Sequence, residues 1–258
     1  MEAINRILSQ KNQFFLCHSE IKCLPLRQTK NSMYRILTIA YFLCLLLDIV
    51  GIVAPLPELR YVFKSLLMPI LMALIWVQTP RPFTGVHLWL LAAIFFSWGG
   101  DVFLLNTTDI YFMLGLVSFL LGHLSYIISF TLDIRRTNNR SDIISGRPFY
   151  LLPFVVFLGG FLYLLRNIGD LFIPVVVYAT VLVLMVITAL RRYGRVETTS
   201  FRWVFWGALL FMVSNSLIAT NRFLVPLPFA DAWIMLLYCT SQYLIVVGML
   251  PNKHYIYR

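Results

Sequence analysis

Charge is what this chain has least of. Only 12% of its 258 residues are Asp, Glu, Lys or Arg, while 60% are hydrophobic, and the mean hydropathy is +0.80. Soluble domains carry roughly a quarter charged residues, so a water-soluble fold is excluded and an integral membrane protein is indicated. No long hydrophilic block is present either, which leaves no room for a second domain. The organisation expected is one transmembrane domain over 34–250 between a basic tail at 1–33 and a short tail at 251–258. Cysteine is scarce: Cys17, Cys23, Cys44 and Cys239 form no ligand spacing, so neither a disulfide framework nor a metal site is expected. The sequence lacks a Walker A loop, a GxSxG elbow, an HExxH pair and a paired CxxC. Nucleotide hydrolysis, serine lipase chemistry and zincin chemistry are thereby removed as first choices, and no cofactor is expected. The first 33 residues hold no apolar core ahead of a small-residue cleavage site, so a cleaved signal peptide is not indicated.

What is present is a series of long apolar runs. A span needs roughly 20 apolar residues, and eight runs approach that length, at about 34–53, 61–78, 87–105, 110–130, 149–165, 171–190, 203–220 and 232–250. They predict an all-α polytopic bundle of eight transmembrane helices. The net charge of +10 is explained by topology before nucleic acid. Seventeen of the Lys and Arg residues fall on the side of the N-terminus: six up to Arg35, then Arg81, four from Arg135 to Arg147, four from Arg191 to Arg202, and Lys253 with Arg258. Three fall on the other side, Arg60, Arg166 and Arg222, while Lys64 lies within a span. By the positive-inside rule both termini are cytoplasmic, in a bacterial inner membrane by preference or in the endoplasmic reticulum of a eukaryote. The oligomeric state is not encoded in any feature of the chain.

Within the apolar runs, ionisable and polar residues collect in one layer. SWGGDVFLLN, from Ser97 to Asn106, carries Asp101; MVSNSLIATN, from Met212 to Asn221, carries Asn215 at a comparable place on a span running the same way. The likeness of the two segments, four spans apart, suggests two parallel four-helix halves. Asp48, Lys64, Tyr178, Tyr238 and Gln242 reach a similar depth, at roughly 1.5 Å of rise per residue. A carboxyl at membrane depth is costly, which makes Asp101 the first functional candidate, as general acid or base. Its structural alternative is a neutral, protonated carboxylic acid or a partner for Lys64 that merely joins helices. Lys64 could instead snorkel to the interface or bind a phosphate. His123 shares a helical stripe with Gly115, Phe119, Gly122 and Tyr126, and reads either as a helix-linking hydrogen bond or as a proton relay. The glycines on that stripe read as close-packing positions. Trp98 and the other tryptophans near span ends fit an interfacial belt.

Four of these stretches, SWGGD (97–101), GLVSFLLGHLSY (115–126), GALLFMVSNSLIATNRF (207–223) and YCTSQYLIVVG (238–248), together with Lys64 and the LLMP after it, resemble the lysoplasmalogenase family of eight-span membrane proteins. The resemblance implies hydrolysis of the vinyl ether bond of a lysoplasmalogen, a lysophospholipid drawn from the surrounding membrane lipids. The products would be a fatty aldehyde and a glycerophospho-ethanolamine or glycerophosphocholine. Asp101 and position 215 would be catalytic. Lys64, His123, Tyr126, Tyr178, Ser214, Asn221, Tyr238 and Gln242 would contact substrate. The chain departs from the family pattern at Asn215, where an Asp follows the Ser in the family, and Asn exchanges no proton near neutral pH. The alternatives are a natural variant with altered activity or a substitution that traps an inactive state. A lipid or small-molecule transporter, or a lipid-binding protein without turnover, remains open as another reading.

Overall fold

The computed structural model describes residues 29–106, 108–137, 151–164, 166 and 168–250. Both terminal tails and the basic loop at 138–150 lie largely outside them. The chain forms α1 (Thr29–Val53), α2 (Pro57–Gln78), α3 (Gly85–Phe103), α4 (Asp109–Arg136) and α5 (Leu152–Leu164). A 3-10 turn at Gly169–Leu171 then leads into α6 (Phe172–Leu190), followed by α7 (Thr198–Phe223) and α8 (Ala230–Met249). No strand occurs among the described residues. Seven helices, all but α5, are long and apolar enough to cross a membrane. The fifth predicted span differs: its helix has 13 residues, about 20 Å at 1.5 Å per residue, short of a hydrocarbon core about 30 Å thick.

The bundle is inverted relative to a soluble protein. Ile36, Ile39, Val155 and Ile173 are each more than 60% exposed, whereas Asp48, Lys64, Asp101, His123 and Gln242 are buried. Lipid solvates the first group, and only helix–helix contacts can satisfy the second. Close approach of neighbouring helices is achieved with glycine. A Cβ on Gly100 would lie 2.5 Å from the Phe119 ring, and one on Gly99 would lie 2.7 Å from Ser118 Oγ. Gly122 faces the Ala93 carbonyl from the other side of the α3–α4 contact. Gly207 and Gly248 do the same between α7 and α8, against Ser241, Ile245 and Val204. Gly100→Ala should therefore destabilise the bundle by about 1–3 kcal/mol, the usual cost of overpacking. Thermal unfolding in detergent reads this, and an unchanged midpoint would mean that the Phe119 ring yields freely.

Pro69 lies inside α2. Having no N–H, it leaves the carbonyl of Ser65, four residues back, without its helical donor. The Trp98 indole on α3 supplies the missing bond, donating Nε1–H to the Ser65 oxygen at 2.9 Å. Trp98 is thus a helix linker and not merely part of an aromatic belt. Trp98→Phe keeps the ring but strands that carbonyl, and should lower stability by about 1–3 kcal/mol; Trp98→Phe unfolding at the wild-type temperature would show that the bond is dispensable. At the opposite flank, Tyr41 of α1 donates Oη–H to the Cys239 carbonyl of α8 at 2.8 Å.

Candidate active site

Asp101 sits near the C-terminal end of α3, on a turn that Gly99 and Gly100 bring hard against α4. Its side chain is 3% exposed. Tyr238 of α8 donates its hydroxyl to Asp101 Oδ2 at 2.7 Å. Lys64 of α2, also buried, and Asp48 of α1 lie within electrostatic reach of the same carboxyl. The carboxyl therefore has one hydroxyl donor and one neighbouring amine, the kinds of partner that a carboxylate in low dielectric requires. Asp48 is fully buried, and neither of its carboxyl oxygens has a hydrogen-bond partner among the described residues.

Asn215 of α7 belongs to a second polar pair. Tyr178 of α6 donates its hydroxyl to Asn215 Oδ1 at 2.5 Å, and Asn215 Nδ2 donates to the Phe211 carbonyl one turn back at 2.8 Å. Among the described residues no hydrogen bond joins Asp101 to Asn215. The two pairs are connected by rings: Phe211 lies 5.5 Å from Tyr238 and 5.0 Å from His123, and His123 lies 5.1 Å from Tyr178. The His123 imidazole is fully buried among them, with no hydrogen-bond partner on either nitrogen among the described residues. The helix-linking hydrogen bond expected of it is absent, because the nearby Tyr126 hydroxyl donates to Gln242 Oε1 instead.

Two concavities flank these pairs. A cavity of about 470 Å³ opens at the end of the bundle where α3 and α7 finish, and its wall includes Lys64, Asn106, Asn221, Arg222 and Asp231. Its mouth is clamped by Arg60 on Asp231 at 2.8 Å and by Arg222 on Asp109 at 2.5 Å. Beside it runs a narrow apolar cleft between α4, α5, α6 and α7, with Phe157, Phe161 and Leu182 in its wall and Asn215, Ser216 and Tyr178 as its polar groups. Leu104, Phe112 and Ile218 line both. A charged vestibule and an apolar slot sharing a wall suit an amphiphile with a polar head and one long chain.

The structure thus brings Asp101 together with Lys64 and Tyr238, and Asn215 together with Tyr178. Lys64 and Asn221 line the vestibule, although Asn221 Oδ1 also accepts from the Leu227 backbone amide at 2.9 Å. Three of the expected contact residues are engaged elsewhere. Ser214 Oγ donates to the Ile234 carbonyl at 2.9 Å, tying α7 to α8. Gln242 donates to Ser97 Oγ at 3.1 Å and accepts from Tyr126, joining α3, α4 and α8. Sequence reasoning passed over the vestibule clamps Arg60, Asp109, Arg222 and Asp231. A signal for them existed: each acid lies in the first turn of its helix, and Arg60 and Arg222 lie near the ends of α2 and α7 on the same side of the membrane. Among the described residues no group of His, Cys, Asp or Glu is placed to hold a metal ion.

A polytopic helical membrane protein with an intramembrane polar site open to one end is the class these features define. The chain belongs to the YhhN family, which it matches over residues 59–249. Among curated proteins it is similar to human lysoplasmalogenase TMEM86A, at 30% identity over 62% of this chain and 66% of that one. It is also similar to human lysoplasmalogenase TMEM86B, at 29% identity over 73% of this chain and 74% of that one. Bovine lysoplasmalogenase TMEM86A is 30% identical over 61% of this chain and 63% of its own length. The chain thus spans just under two thirds of the TMEM86A proteins that it matches. No solved structure matches it. The family match begins after α1, so Asp48 lies outside it.

Proposed function

We propose that this protein binds a lysoplasmalogen with its head group in the vestibule and its alkenyl chain in the apolar cleft, and that its site is built to hydrolyse the vinyl ether bond. The observation that carries this reading is the shared wall of Leu104, Phe112 and Ile218, which sets a charged cavity against an apolar slot beside Asn215. The names of the curated relatives support the same chemistry. Lys64, Arg60 and Arg222 would meet the phosphate. In the reaction a proton adds to the alkene carbon remote from the ether oxygen, and the resulting oxocarbenium ion is captured by water, which loses its proton to a base. The hemiacetal then collapses to aldehyde and alcohol.

The hydrogen bonds distribute the two roles. Asp101 accepts from Tyr238 and lies by Lys64, the setting of a carboxylate and hence of the base. Position 215 donates to a backbone carbonyl through Nδ2, which an acid could do only while protonated, the setting of the general acid. Asn215 reproduces the shape of that protonated acid without its proton. A second reading follows from the same observation: with an amide in place of the acid, this chain binds the lipid without turning it over.

In this reading the membrane topology has eight crossings. α4 and α6 both finish at the end of the bundle that holds Asp133 and Arg192, so the chain between them must return to the other end, and α5 lies on that return. Glycine-mediated packing of α3 on α4 and of α7 on α8 supports two parallel four-helix halves. The Lys and Arg distribution puts both termini, and the single domain's flanking tails, in the cytoplasm. The test is purified protein in liposomes given lysoplasmalogen or its saturated alkyl ether analogue, with aldehyde release, binding and uptake measured separately. Binding of both with aldehyde from the first supports the enzyme, and binding without aldehyde supports the second reading. Transfer of either lipid across the bilayer would replace both with a transporter.

A further inference from the structure

The opposite end of the bundle holds a second cavity, of about 390 Å³, formed by the start of α3, the ends of α4 and α8 and the α6–α7 turn. Its floor is Arg192, 1% exposed. The guanidinium is fixed in place: Nε and Nη2 donate to Asp133 Oδ2 at 3.2 and 2.7 Å, and Nη2 also donates to Ser200 Oγ at 2.8 Å. Ser200 is in turn held by its own donation to the Gly248 carbonyl at 2.6 Å, and the Phe130 ring lies 5.8 Å from the guanidinium carbon. Only Nη1 is left over. It is buried and has no partner among the described residues. An unpaired donor on a charged group is costly, and the cavity that Arg192 lines is where an acceptor for it would lie.

The rest of the lining says which acceptor. Arg136 at the exposed end of α4 and Arg195 add cationic charge, His87 and Thr137 add polar groups, and Asp133, already held by Arg192, and Glu197 are the acids. Val86, Met249 and Leu250 close the apolar side. A fixed guanidinium edge at the floor with an arginine at the rim suits a tetrahedral oxyanion, which can accept from several directions at once. We propose that this cavity is a phosphate-binding site, independent of the vestibule at the other end. Its ligand is a phosphate monoester group, either a lipid head group of the adjoining leaflet or a soluble phosphate.

The test uses the full chain in nanodiscs of phosphatidylcholine, with thermal unfolding followed against inorganic phosphate and against sodium chloride at equal ionic strength. A parallel series of discs contains phosphatidic acid. The expected result is a saturable rise in the unfolding temperature with phosphate, or with phosphatidic acid, and none with chloride. Arg136→Gln, on the exposed rim and clear of the Arg192–Asp133 pair, should weaken that response about tenfold, the loss of one charge-assisted bond, without changing the unfolding temperature in the absence of ligand. Arg192→Lys should weaken it further. A response only in the doped discs assigns the lipid head group, and a response to free phosphate assigns a soluble ligand. An equal shift with chloride, no saturable shift in either series, or an undiminished response in Arg136→Gln would each overturn the proposal.

Discussion

Asn215→Asp should raise vinyl ether hydrolysis by about 10²–10⁴-fold, the range that a positioned general acid contributes. The hydrogen bonds around position 215 give the reason for so large an effect from a nearly isosteric change. The Phe211 carbonyl faces the Nδ2 side of the amide at 2.8 Å, and Tyr178 donates to the Oδ1 side. With a carboxyl in the same place, one oxygen would meet Tyr178 and the other would meet a carbonyl oxygen. That second contact is attractive only when the oxygen carries a proton. The site therefore favours the protonated acid and holds it against the apolar cleft, where the alkene would lie. In the proposed mechanism Asn215 keeps the geometry of the acid but has no proton to transfer. Aldehyde release from lysoplasmalogen, measured for both proteins in the same liposomes, decides the matter. Equal rates would show that position 215 takes no part in proton transfer.

The helical architecture was legible because hydrophobicity is a long-range signal: an apolar run of some 20 residues has few alternatives to a span. The fifth run shows the limit of that signal. Its composition matches its neighbours, yet the helix described there has 13 residues, since run length bounds a helix only from above. Asp101, Lys64 and Tyr238 could be grouped from sequence because charge inside a membrane is rare and depth is countable. Which polar residue meets which could not. Counting residues along helices places Gln242 and Tyr178 at similar depth but carries no information on rotation about the helix axis. Rotation sends Gln242 and Tyr126 to each other and Tyr178 to Asn215. Trp98 was misread for a related reason: its partner is a backbone carbonyl freed by Pro69 on another helix, and pairing a proline with a donor across helices requires the packing.

Asp101→Asn, introduced into the Asn215→Asp protein, should remove the gained activity, with a loss of about 10²–10⁴-fold. Protonation of the alkene is only half of the reaction, since the water that captures the cation must lose a proton, and the carboxylate also opposes the positive charge as it forms. In the proposed mechanism Asp101 would be suited to both tasks by the Tyr238 hydroxyl at 2.7 Å and by Lys64, which lies within its electrostatic reach and lines the vestibule. The amide of Asn would still accept from Tyr238, so the fold should survive while the charge is lost. Lys64 would then be left without that counter-charge, although Asp48 also lies within its electrostatic reach. Comparison with Tyr238→Phe separates the charge from the hydrogen bond. Removing the hydroxyl leaves the carboxylate in place and should cost a smaller part of the rate, on the order of tenfold, corresponding to a single hydrogen bond to a charged group. Full activity in the double variant would mean that Asp101 is only a helix-joining residue, and the base would have to be sought at Asp48.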